Sequence, residues 1–294
     1  MLLPLLLAAA AMPPEAGYVL DRSHREAKAA RAQRQAEQTQ PVAGTLPLDS
    51  AVAAKLQACL DAATAEVAAG LKYAAEWQAE KGGHHALQCK GFAHARAEQW
   101  DEATAAFVLA ATRAGTAGAQ EDAARLWAQA GNAALAGGKA DVALGHFDAA
   151  LSHGLPDGLA KGEIYLDRGR AHVALGKMVE ARGDLDRALV LAAPDPLAWL
   201  LSATLARRMD DLARAAKDIA QAALLASDDL SVALEQGNIA ALSGNDAGAR
   251  KAWERVVGEA PDSPQARAAK AGLAQLPPVQ SAAPVPAVAP QPSR

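Results

Sequence analysis

The densest grouping of chemically capable side chains is His84, His85, Cys89 and His94, all within 11 residues. His85 and Cys89 are four positions apart, so on a helix they project from one face, and imidazole plus thiolate is a donor pair that zinc accepts. No fourth ligand is evident beside them, so no metal and no other cofactor is assigned. The acidic pairs Asp210–Asp211 and Asp228–Asp229 stand at turns ahead of helical segments, where carboxylates cap helices rather than serve as general acids. Neither H-E-x-x-H, G-x-S-x-G nor G-x-x-x-x-G-K occurs in the chain. The chain therefore reads as a non-enzyme.

The elements that carry these residues follow from composition. Alanine supplies 79 of the 294 residues, while aromatics make up 4%. Alanine is the best helix former and a poor strand former, so the expectation is an all-α protein of closely packed helix pairs. With 29 basic and 33 acidic side chains the net charge is -4, which gives no electrostatic ground for nucleic-acid binding.

From residue 48 to 276, amphipathic segments alternate with Gly, Asp and Pro, and the pattern repeats. Taking Gly91, Gly131, Gly169, Ala203 and Gly237 as equivalent gives spacings of 40, 38, 34 and 34 residues. Twelve positions beyond each anchor stand Ala103, Ala143, Ala181, Ala215 and Ala249. Four further on are the bulky Phe107, Phe147, Leu185, Ile219 and Trp253. Then come Ala110, Ala150, Ala188, Ala222 and Val256, and four before the anchors lie Leu87, Trp127, Tyr165, Trp199 and Ala233. Small anchors are expected to meet small residues of the second helix, with the bulky residue filling space between successive pairs. Extra residues around 115–122 and 154–162 are placed in turns between repeats.

This pattern resembles the tetratricopeptide repeat, two antiparallel helices in about 34 residues. The resemblance covers five units, roughly residues 86–262. It implies a right-handed superhelical solenoid of helix-turn-helix repeats, with another helical pair over 48–80 and a capping helix over 263–276. It departs from the family at the usual tyrosine position, which here holds His94, Ala134, His172, Ala206 and Ala240. In such proteins the first helices line a concave groove that takes partner segments. Carried onto this chain, the groove residues are Phe92, Arg96, Arg125, Asn132, Leu135, Leu166, Arg170, Leu200, Thr204, Arg207, Leu234 and Asn238. Four arginines among leucines would suit a protein or peptide segment bearing carboxylates. The family's carboxylate clamp is lacking, because Ala128 and Leu234 occupy its lysine positions. The functional expectation is a protein-interaction scaffold; the alternative is a substrate-delivery or accessory subunit of an envelope enzyme complex.

The termini bear on location. Residues 2–12 form an apolar run of 11, too short to span a bilayer, with the small residues Ala8, Ala9, Ala10 and Ala11 near its end, ahead of Pro13–Pro14. This reads as a signal peptide over 1–11 and periplasmic export, the alternative being a cytoplasmic protein whose apolar segment packs on the first repeat. No membrane-spanning segment is expected in the mature chain. Residues 12–47 form a polar linker, in which Arg22, Arg25, Lys28, Arg31 and Arg34 recur every third position and so share no helical face. Residues 277–294 hold 6 prolines and read as a disordered tail. Cys59 and Cys89 are 30 residues apart, close to one repeat, which places them on first helices of neighbouring units. A disulfide between them is expected if the chain is exported.

Overall fold

In the computed structural model, residues 49–278 are described. The expected signal peptide, the linker 12–47 and tail residues 279–294 lie outside the described residues. The described chain is helical and contains no strand. It forms two units, dividing after Lys177. The first holds α1 (Ser50–Ala65), α2 (Val67–Ala79), α3 (Gly83–Arg96), α4 (Trp100–Thr116), α5 (Gln120–Ala136), α6 (Ala140–Ser152) and α7 (Leu159–Ala174). The second holds α8 (Met178–Leu191), α9 (Pro196–Arg208), α10 (Leu212–Leu225), α11 (Leu230–Leu242), α12 (Asp246–Glu259) and α13 (Pro264–Leu273).

Each unit packs its helices in sequence order, α1 on α2 through α6 on α7, and α8 on α9 through α12 on α13. First helices also touch first helices of the next pair, as α1–α3, α5–α7 and α9–α11 do. This is the nearest-neighbour stacking of a tetratricopeptide-type solenoid. None of the described helices is long and apolar enough to cross a membrane.

Local chemistry marks the helix ends. The side chains of Asp49, Asp195, Asp211, Asp229, Asn245 and Ser263 accept from backbone amides of the first turn, each supplying one of that turn's missing acceptors. Asp211 and Asp229 are thus the caps expected of the two acidic pairs. Pro196 and Pro264 stand in the first turn, where a missing N–H costs nothing. The turns inside the five repeats each place one residue at positive φ: Glu98, Gly138, Gly176, Asp210 and Gly244. These five positions reproduce the anchor spacings of 40, 38, 34 and 34.

The core holds one contact beyond the expected packing. The bulky residue packs against the next pair, as Phe107 does with Leu126 and Phe147 with Ile164, and it also lies directly over the anchor of its own pair. A Cβ on Gly91 would stand 2.7 Å from Phe107 Cδ1, and one on Gly131 would stand 2.6 Å from Phe147 Cε1. A Cβ on Gly237 would likewise run into the indole of Trp253. Glycine is needed because an aromatic ring occupies the space its side chain would take. Where the anchor is Ala203, the covering residue is the smaller Ile219, in the same core cluster. Alanines do the rest: Ala110, Ala111, Ala114, Ala123 and Ala130 are fully buried where α4 and α5 meet.

The extra residues of the first spacing are also placed differently. Only residues 117–119 lie outside helices between α4 and α5; the remainder lengthens both helices to 17 residues. Alanine-rich flanks with Glu121 and Asp122 in the first turn of α5 favour added helix over an added loop. Around residues 154–162 the expectation is closer, since the chain leaves α6 at His153 and enters α7 at Leu159.

Candidate functional site

The first-helix face is built by residues at fixed offsets from the anchors. In the first unit Phe92, Asn132, Leu135 and Arg170 are half-buried, and Arg125 is exposed. Phe92 and Leu135 lean on the core clusters of their own pairs. In the second unit Leu234 packs on the cluster around Trp253, and Asn238 is half-buried. Three expected groove residues are core instead. Leu166 and Leu200 are each 3% exposed, and Thr204 is buried with its hydroxyl donating to Leu200 O at 3.0 Å. Their helices are turned so that these positions face the neighbouring helix rather than the open face.

The four arginines do not form a free basic surface. Arg207 Nε and Nη2 donate to Glu235 Oε1 and Oε2 at 2.6 and 3.2 Å, and Glu235 is buried. Arg170 Nη1 donates to Asp167 Oδ1 at 3.0 Å. Arg125 pairs with Glu121 at 3.1 Å and Asp122 at 3.5 Å. Arg96 stands apart, for its Nε is buried without a hydrogen-bond partner. The partnering carboxylates Asp167 and Glu235 were missed in the sequence. Their signal was positional: both lie two residues before an anchor, as do Cys89 and Gln129.

That position reaches back to the preceding first helix. Cys89 on α3 is bonded to Cys59 on α1, with Cα atoms 6.1 Å apart. Asp167 on α7 accepts from Asn132 Nδ2 on α5 at 2.7 Å. Glu235 on α11 holds Arg207 on α9, and its Oε2 also accepts from Asn238 Nδ2 at 3.0 Å. At the same offset on α5, Gln129 has a buried Oε1 with no partner, and Asn132 Oδ1 is likewise buried and unsatisfied. Arg96 Nε on α3 and the two acceptors on α5 are thus buried polar atoms without a hydrogen bond in the fold. A buried unsatisfied group costs about 1–3 kcal/mol.

The histidine grouping resolves into separate environments. Cys89 is oxidised and can donate to no metal. His94 Nδ1 meets Gln99 Oε1 at 2.7 Å. His85 stacks on Trp77 with ring centroids 6.5 Å apart, and burial together with the adjacent His84 holds it below the ordinary imidazole range. His84 Nε2 lies 3.2 Å from Asp122 Oδ2.

The fold and this face define a tetratricopeptide-repeat architecture, and solved structures of that kind are what it resembles. One is PilW, a widely conserved type IV pilus biogenesis factor: TM-score 0.62, 14% identity, covering 75% of this chain and 98% of that one. Another is PilF of Pseudomonas aeruginosa: TM-score 0.59, 14% identity, covering 76% and 98%. A tetratricopeptide repeat protein from Parabacteroides merdae matches with TM-score 0.53 at 17% identity, over 65% and 71%. No family model matches the sequence, and no curated protein matches it.

Proposed function

We propose that this chain is a non-catalytic scaffold that holds a peptide or protein segment on its first-helix face, in the bacterial periplasm. The observation that carries the reading is the unsatisfied trio Arg96 Nε, Gln129 Oε1 and Asn132 Oδ1 on adjacent first helices. A donor on α3 and two acceptors on α5 are groups that the C=O and N–H of a peptide backbone can satisfy. An acidic partner is supported by Arg96 alone, since Arg125, Arg170 and Arg207 already face carboxylates. Export is supported by the apolar residues 2–12 and by the Cys59–Cys89 bond, which persists in oxidising compartments.

A second reading, an accessory subunit docked by its outer helices, is favoured by one observation. Val190 and Leu224 are 79% and 80% exposed at equivalent positions of α8 and α10 in the second unit. Photo-crosslinking residues placed at 96 and 132, against others at 190 and 224, separate the two in intact cells. A discrete adduct from the first pair alone supports the peptide face. Adducts from the second pair alone would transfer the function to the outer helices. Free thiols at both cysteines in protein taken from the envelope fraction would reject export.

A further inference from the structure

We propose that His84, His85 and Asp122 form a binding site for one divalent transition-metal ion, with zinc the ion that the donor set suits. Each residue offers one ligand atom, and the three atoms lie within 4.8 Å of one another. The His84 Nε2–Asp122 Oδ2 separation of 3.2 Å is close to the ligand–ligand edge, about 3.3 Å, of a tetrahedron with metal distances near 2.0 Å. His85 adds an independent sign: its Nδ1 is buried and has no hydrogen-bond partner. The imidazoles are 4.0 Å apart between centroids.

The backbone explains the convergence. Lys81 and Gly83 both take positive φ, so the chain turns sharply into α3 and delivers the two histidines in its first turn. Asp122 sits in the first turn of α5. Adjacent pairs thereby present three donors from two helix starts. Two imidazoles and a carboxylate select zinc, copper or nickel over magnesium or calcium, which prefer all-oxygen cages. Three protein ligands leave a fourth position open to solvent, on the side where Asp122 is 35% exposed. The surroundings support the ligands as well. Asp122 Oδ1 faces Arg125 Nη1 at 3.5 Å, which leaves Oδ2 toward His84, and Trp77 fixes the plane of His85. The site is independent of the proposed peptide face, since it uses none of Arg96, Gln129 or Asn132.

The test uses the full chain without a histidine tag, stripped with chelator and titrated with zinc alone by calorimetry. Cobalt(II) serves as a second probe, because tetrahedral coordination gives it intense visible absorption. The expected result is one saturable zinc site, weakened at least about tenfold by Asp122→Asn and by His85→Gln, and unchanged by His94→Gln. Circular dichroism confirms that the variants fold, and the surface change Asp122→Asn decides alone if His85→Gln does not. The proposal is overturned if zinc does not saturate a site, or if it binds with unchanged strength in Asp122→Asn.

Discussion

Gly131 lies flat under the ring of Phe147, so closely that a Cβ would stand 2.6 Å from Cε1. Phe147 is fully buried and cannot retreat. Gly131→Ala gains about 1 kcal/mol of helix propensity but incurs overpacking of about 1–3 kcal/mol, so net destabilisation is expected. Gly145, on the same helix as Phe147, has nothing within 4 Å of the place a Cβ would take. There Ala should raise stability by about 0.5–1 kcal/mol. Urea midpoints of the two variants on opposite sides of the parent confirm the ring-over-glycine packing; equal shifts refute it.

Arg207 and Glu235 make a second test. Glu235 is 3% exposed, and Arg207→Glu would face it with a like charge. Breaking such a buried pair costs about 3–5 kcal/mol. The exchange Arg207→Glu/Glu235→Arg should recover part of that loss. An undiminished denaturation midpoint in the single variant would mean that the pair is not formed in solution. Loss of a partner in this variant therefore counts as unfolding unless stability is measured beside it.

Reduction probes the first unit. The Cys59–Cys89 bond closes a loop 30 residues long. Restricting the unfolded chain to that extent is worth about 3–4 kcal/mol. Dithiothreitol should lower the midpoint of the parent and leave that of Cys59→Ala/Cys89→Ala unmoved. Equal responses would remove the disulfide from the account of stability.

His146 predicts a pH response. It is half-buried against Trp127, with ring centroids 5.5 Å apart, and burial lowers its pKa from the ordinary value of 6.5. The unfolded chain then binds the proton more readily, so its contribution is present above about pH 6.5 and fades as pH falls through the lowered folded value. His146→Gln should flatten the fall in stability below that pH, leaving the part due to His85, which is lowered in the same way. Parallel stability profiles for parent and variant would reject this.

The helix pairs were legible because small and bulky residues recur with the period of the structure. Gly91 and Phe107 carry the same offset as Gly237 and Trp253, and periodicity needs no knowledge of contacts. What periodicity could not supply was the partner of each polar side chain. Asp218 sits at a buried position of α10, which an apolar stripe would not predict. It accepts from Ser202 Oγ and from Arg214 Nε at 3.2 Å, while Arg182 Nη2 donates to the same serine at 2.8 Å. Asp167 and Glu235 escaped notice for a related reason. A carboxylate with an arginine or asparagine three residues on, as Asp167 and Glu235 have in Arg170 and Asn238, reads as a solvated face until the preceding first helix supplies its partner. Asp122 was missed as a neighbour of His84 because the two are 38 residues apart and meet only through the stacking of α3 and α5.

At three of the five anchors the position two residues before it joins successive first helices: by a covalent bond at α1–α3, by an amide–carboxylate hydrogen bond at α5–α7 and by an ion pair at α9–α11. In a stacked array, cooperativity is the sum of such couplings between neighbours. These couplings answer to different agents. A thiol reagent uncouples the first of them and leaves the others intact, whereas added salt weakens the ion pair that holds α9 to α11 and spares the covalent joint. Partial unfolding of this chain should therefore begin at a place chosen by the solvent, with each agent fraying its own joint.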